Sequence, residues 1–190
     1  DRVLTNSDLE KLVDTSDEWI KSRVGINQRH VVSDGEASSD MSTKVAHSLL
    51  EKRGISAANI DVIIIGTVTP DHPTPSTAAI VQNNINAENA WAFDLSAACS
   101  GFLYAREAGA KFIESGKYKT IMVIGVDTMT SILDFEDRET CIIFGDGAGG
   151  VILEASKSNT GILGSVLKTD GSGAESLNVL AGGSKYPCLL

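Results

Sequence analysis

Apolar residues recur along the chain in blocks that alternate between strand-like and helical spacing, so the sequence divides into a series of short elements. The plainest block is Asp61-Val-Ile-Ile-Ile-Gly-Thr-Val-Thr69, continuous and β-branched, as strands buried on both faces of a parallel sheet are. It is predicted to stop at Thr69, because Pro70 offers no N–H to a ladder, and residues 70–75 read as a rigid loop. Thr74 as N-cap and Pro75 at the first helical position predict a helix through about Ile85. Trp91 to Leu95 and Ile121 to Val126 are further strand-like runs. Between those two runs Phe102, Ala105, Gly109, Phe112 and Ile113 keep the helical period, which predicts a helix from about Ser100 to Ser115 closed by Gly116.

Upstream, residues 5–13 open with a polar cap-like cluster and place Leu9, Leu12 and Val13 on one side of a short helix. Thr15-Ser16-Asp17-Glu18 has the form of a capping box, starting a second helix that carries Trp19, Ile20 and Arg23 and stops at Gly25. Residues 33–39 are polar and read as a loop, followed by a helix marked by Met41, Val45, Leu49 and Leu50 that ends at Gly54. The resulting β-α-β-α-β order with short connections predicts one α/β domain over 1–190, with a mostly parallel sheet and helices on both faces. Cys141–Phe144 and Val151–Leu153 bracket Gly145-Asp-Gly-Ala-Gly-Gly150. That segment follows neither the dinucleotide nor the P-loop spacing and leads into a strand, so a tight backbone crossing near the active-site floor is preferred to a phosphate cradle. After Ala155, glycines at 161, 164, 171, 173, 182 and 183 leave a weakly periodic tail, read as a strand plus loops.

Composition narrows the function. With 42% hydrophobic and 22% charged residues the 190-residue chain reads as an ordinary globular domain. A net charge of −9 argues against nonspecific nucleic-acid binding and against an anionic membrane surface. Apolar runs are too short to span a bilayer and no signal peptide opens the chain, so a cytoplasmic location is expected. Cys99, Cys141 and Cys188 fit neither a disulfide framework nor a zinc spacing, and His30, His47 and His72 form no metal motif, so no metal is expected.

The chemistry concentrates at Cys99. The strand-like Trp91–Leu95 gives way to small residues and then to a helix, which puts Cys99 at a strand-to-helix turn beside unpaired backbone N–H groups. A cysteine thiol is mostly protonated at neutral pH, and a helix N-terminus worth about 1 kcal/mol does not change that alone. A nucleophile at this turn therefore calls for a second activator, usually a histidine. The competing reading is a cysteine packed as a small hydrophobe. Trp19 and Arg23, four apart on one helix face, read first as packing and only second as an aromatic and cationic platform for a nucleotide.

Five motifs carry a family resemblance. Asp14-Thr-Ser-Asp-Glu-Trp-Ile20, Arg23-Val-Gly-Ile26, Asp94-Leu-Ser-Ala-Ala-Cys-Ser-Gly-Phe102, Asp137-Arg138 and Ile143-Phe-Gly-Asp-Gly-Ala-Gly149 resemble β-ketoacyl-acyl-carrier-protein synthase III in order and spacing, from the first residue to about Gly173. The resemblance implies the thiolase-like fold, a layered αβαβα arrangement of two βαβαβ halves, of which this chain would be the N-terminal half. It implies the opening condensation of bacterial fatty-acid synthesis, with Cys99 taking an acyl group from acetyl-coenzyme A or another acyl-coenzyme A before attack by malonyl-acyl-carrier-protein. Coenzyme A is then a substrate, and no cofactor is expected. Trp19 and Arg138 match the pair that stacks on either side of the adenine, Thr15 and Arg23 match further coenzyme A contacts, and Phe144 matches a residue near the acyl tunnel. A homodimer is implied, with residues 70–75 and the helix after them as part of the contact.

The departures from the family are specific. Its catalytic histidine in a His-Gln-Ala-Asn motif and its asparagine in a Gly-Asn-Thr motif are absent from these residues, as is its first strand. Alone, the chain is expected not to condense anything. Thr74 stands where a bulky aromatic is common in the loop reaching the partner's acyl pocket, which suggests a roomier primer pocket, and Glu139 stands where a small residue usually follows the arginine, which suggests weaker coenzyme A binding. Two other readings stand here: a thiolase-superfamily condensing enzyme of secondary metabolism, and a non-catalytic coenzyme A-binding or dimerisation module.

Overall fold

A computed structural model of the chain describes residues 2–156, 158 and 160–187. Cys188 lies outside the described residues. The centre is a four-stranded sheet of β3 (Val62–Gly66), β4 (Trp91–Leu95), β5 (Thr120–Thr128) and β6 (Asp146–Glu154), ordered β4-β3-β5-β6. β3 runs parallel to both β4 and β5, with Val62 opposite Trp91 and Ile121, while β6 is antiparallel to β5, with Thr128 opposite Asp146. The mostly parallel sheet expected from the β-α-β-α-β order is therefore present, closed on one side by an antiparallel strand. Among the described residues no helix is long and apolar enough to cross a membrane.

Helices cover both faces because β3 and β5 are apolar on both. Ile63, Ile65, Met122 and Ile124 point to one side, where α3 (Ser38–Arg53) and α4 (Thr77–Asn84) add Ala46, Leu50, Ala78 and Val81. Val62, Ile64, Ile121 and Val123 point to the other, against Ala105, Phe102 and Phe112 of α5 (Gly101–Glu114). Each fully buried isoleucine or valine stabilises the fold by about 1.5–3 kcal/mol. The predicted stops hold, with Gly25, Gly54 and Gly116 all in the left-handed region at helix ends.

Several boundaries differ from the sequence reading. β3 ends at Gly66 rather than Thr69, because Thr67–Thr69 turn their polar groups to Asp127 instead of extending the ladder. The second helix, α2 (Asp17–Val24), is capped by Ser16 and not Thr15, and α4 by Ser76 and not Thr74. The carboxylate of Asp94 accepts from Thr77 N and Ala78 N at 2.7 and 2.8 Å, so the start of α4 is chosen by a residue on β4. The helix expected over residues 5–13 shrinks to α1 (Asn6–Leu9), and α3 begins at Ser38, inside the predicted loop. A hairpin-like pair, β1 (Arg2–Thr5) antiparallel to β2 (Gln28–Val31), was not anticipated. Cys141–Phe144 form turns, and the glycine-rich segment lies within β6 itself. Among the described residues no strand follows Glu154; residues after it are exposed, and Tyr104 Oη anchors them by donating to Lys168 O at 2.6 Å.

Candidate active site

Cys99 is exposed and lies in a one-turn 3₁₀ segment, Ala98–Ser100, between β4 and α5. Ala98 has φ of 45°, a left-handed backbone that costs a non-glycine residue on the order of 1–3 kcal/mol, so the hinge is held by its surroundings. What holds it is close packing of α5 on the sheet. A Cβ on Gly66 would sit 2.7 Å from Gly101 C, and one on Gly125 would sit 3.0 Å from Phe102 Cβ, so both glycines let the start of α5 rest directly on β3 and β5. Ser100, the N-cap of α5, makes no side-chain cap hydrogen bond, while Ser100 N and Gly101 N donate to Ala97 O and Ala98 O of the preceding turn.

The thiol shares a cleft of about 520 Å³ with Gly66, Ala98, Phe102, Val126, Asp127 and glycines of β6. Asp127 stiffens its rim. Thr67 Oγ1, Val68 N and Thr69 Oγ1 all donate to Asp127 Oδ1 at 2.8–3.1 Å, Thr128 N donates to Thr69 Oγ1, and Ser38 Oγ donates to Thr69 O. His30, His47 and His72 are exposed, and none lines the cleft. Thr74 and Phe144 do not line it either; Thr74 is exposed in the loop before α4, while Phe144 precedes Gly145 at the cleft edge.

A second cluster gathers Trp19, Arg23 and Arg138. The Arg138 guanidinium lies 4.3 Å from the Trp19 ring centroid and that of Arg23 5.5 Å, close enough for cation–π attraction. Arg138 also reaches Asp14 at 3.9 Å, and the nearby Thr15 Oγ1 is buried without a hydrogen-bond partner. Exposed Glu139 donates its N–H to Asp137 Oδ1 at 3.0 Å. Thr140 and its hydrogen bond hold the Asp137 carboxyl below the usual carboxylate range.

Arg29, which sequence reasoning passed over, joins the two clusters. It is 4% exposed and donates from Nε to Ile142 O at 3.0 Å and from its terminal nitrogens to Ile142 O and Asn6 Oδ1. Burial pushes its guanidinium below its ordinary range, with the neighbouring Cys141 thiol opposing that. Cys141 and Ile142 pack with Leu9, Ile20 and Trp19, and a Cβ on Gly145 would meet Arg29 Cβ at 3.0 Å. The turn 141–145 thus runs from the Trp19 cluster to the cysteine cleft. The only sequence signal for Arg29 is its place as the inward position of a four-residue strand. Among the described residues no group of three or more His, Cys, Asp or Glu side chains is placed to hold a metal ion.

Known proteins resemble this chain in sequence and in fold. A family model described as 3-oxoacyl-[acyl-carrier-protein] synthase III matches residues 93–171, which include Cys99, Arg138 and the β6 glycines. The β-ketoacyl-[acyl-carrier-protein] synthase III of Chlorobaculum tepidum is 56% identical over 190 residues, covering 98% of this chain and 58% of that protein. A crystal structure of the Thermus thermophilus synthase III superposes with a TM-score of 0.89 at 38% identity, over 94% of this chain and 55% of that one. A second 3-oxoacyl-(acyl-carrier-protein) synthase III structure gives a TM-score of 0.93 at 29% identity, over 100% of this chain and 57% of that one. The fold is thus thiolase-like, and the chain spans little more than half the length of the relatives it matches.

Proposed function

We propose, from the premise that this chain belongs to the β-ketoacyl-acyl-carrier-protein synthase III family, that it carries the acyl-accepting site of a condensing acyltransferase, with Cys99 as nucleophile. The observation that carries the reading is an exposed cysteine at the uncapped start of α5, in a cleft floored by glycine. The Cys99 thiolate attacks the thioester carbonyl carbon of an acyl-coenzyme A. Backbone N–H donors at the turn, including that of Cys99, stabilise the oxyanion, the carbon–sulfur bond to coenzyme A breaks, and coenzyme A leaves with the proton that Cys99 gave up. Malonyl-acyl-carrier-protein then loses carbon dioxide, its carbanion forms a carbon–carbon bond to the acyl carbonyl, and Cys99 departs as thiolate. The groups that activate the thiol and stabilise that carbanion come from outside the cleft lining described here.

Trp19 and Arg138 supply the adenine slot, with Arg23 and Thr15 as neighbours. A guanidinium already in contact with the indole leaves no room for a base between them, so the slot opens when Arg138 swings away. Thr74 and Phe144 remain assigned to the acyl pocket, Thr74 through the partner of a homodimer acting in the cytoplasm. The test is intact-mass measurement after incubation with acetyl-coenzyme A. The native protein should gain one acetyl group and Cys99→Ala none; no adduct on native protein, or one that survives Cys99→Ala, would remove Cys99 from the reaction.

A further inference from the structure

The walls of the slot between Trp19 and Arg138 come from distant parts of the chain. One is α2, which carries Trp19 and Arg23; the other is the turn between β5 and β6 that carries Arg138. That turn is tied internally, since Cys141 N donates to Asp137 O and Ile143 N to Thr140 O, both at 3.0 Å, so Arg138 and Ile142 belong to one hydrogen-bonded unit.

Asn6 holds the first wall from below. Its amide nitrogen has two N–H groups, and they go to opposite ends of α2: one to Asp17 Oδ1 at 2.8 Å, on the first residue of the helix, the other to Ile26 O at 2.9 Å, just past the Gly25 cap. Arg29 holds the second wall. Its Nε and one terminal nitrogen converge on Ile142 O, while its other terminal nitrogen donates to Asn6 Oδ1. The planar guanidinium thus joins the anchor of one wall to the anchor of the other. Asn6, Arg29 and Ile142 are 2%, 4% and 3% exposed, so this strut is sealed by the chain itself and meets no ligand. Buried polar groups are costly unless satisfied, and these are satisfied only with both walls in place.

We infer that Asn6 and Arg29 are positioning residues for coenzyme A, fixing the distance between the Trp19 helix and the Arg138 turn and so the width of the adenine slot. The inference rests on the reading of that slot as the adenine site. Because the slot opens by a swing of the Arg138 side chain, the backbones on either side must keep their spacing for indole and guanidinium to close on the two faces of the base. Loss of either strut member lets α2 and the turn drift apart without removing any group that meets the ligand.

The experiment measures coenzyme A binding by calorimetry on the native chain and on Asn6→Ala, Arg29→Lys, Trp19→Ala and Ile60→Val. Asn6→Ala and Arg29→Lys leave the net charge unchanged, and a single ammonium cannot replace a fork that spans Asn6 Oδ1 and Ile142 O. Both should weaken binding by about three- to thirtyfold, the range over which residues that never meet a ligand alter its affinity. Ile60→Val trims a fully buried side chain in a different core cluster and should bind as the native chain does. Native affinity in either Asn6→Ala or Arg29→Lys, or an equal loss in Ile60→Val, overturns the inference and leaves the slot reading intact. No binding by the native chain, or native affinity in Trp19→Ala, overturns the slot reading and the inference with it. Should one strut variant fail to fold, the other decides.

Discussion

Cys99 and Cys141 bear the same thiol in opposite surroundings. Cys99 is exposed at a helix start, whereas Cys141 is buried, and burial followed by the Asp137 carboxylate pushes its thiol up. Only the first is placed to meet a substrate. Arg29 is the other residue whose surroundings decide its role: a buried guanidinium that serves carbonyl and amide oxygens rather than a carboxylate. Arg29→Met keeps much of the aliphatic stem and removes the desolvated charge, but it leaves buried Asn6 Oδ1 and Ile142 O without their donor. Hydrogen bonds to a charged group outweigh that relief, so the variant should lose about 1–3 kcal/mol. A urea midpoint equal to or above that of the unsubstituted chain would refute this.

At the scale of elements, the start of α5 is held by absence of side chains beneath it. Gly66→Ala would put a methyl group 2.7 Å from Gly101 C and 2.9 Å from Phe102 N, both backbone atoms with nowhere to yield. Overpacking of this kind costs about 1–3 kcal/mol and moves the helix start that carries Cys99. Gly66→Ala should therefore lower the unfolding midpoint and also change the rate at which iodoacetamide alkylates Cys99; a folded variant with native alkylation would show that the contact does not position the thiol. Asp94 works the same way from the other side, since its carboxylate ties β4 to the first turn of α4. Neither contact belongs to the element it positions.

Across the molecule, surface carboxylates set the acid limit. Asp8, Asp17, Glu36 and Asp137 all sit below the usual range, through hydrogen bonds from Thr5, Lys21, Lys44 and Thr140 respectively. A depressed folded-state value contributes stability that is present above the unfolded value and lost as pH falls through the folded one. The thermal midpoint should thus hold from pH 7 to about 5 and fall below about pH 4, where unfolded carboxylates take up protons first. A midpoint flat down to pH 3 would mean these pairs do not stabilise the fold. The tail behaves differently from the sheet: Leu163 and Val166 are 88% and 85% exposed, so these two side chains bury little in this chain.

The sequence by itself determined β3, β4, β5, α5 and the glycine helix stops, because burial on one or both sheet faces imposes a period that residues keep locally. It also located Cys99 at a strand-to-helix turn and carried the motifs of the family. Only the tertiary structure decided what depends on contacts distant along the chain. Asp94 and Asp127 chose where α4 begins and β3 ends, and a small residue cluster at Thr15–Glu18 could not say which hydroxyl would cap. Arg29 became a bridge because Ile142 lies against it, more than a hundred residues away in sequence. The β6 segment read as a tight crossing is one at Gly145 and Gly150, whose close neighbours are Arg29 and Val123, while Gly147 and Gly149 line the cleft of the cysteine. Periodicity reports which side of an element is buried; it carries no record of what the other side meets.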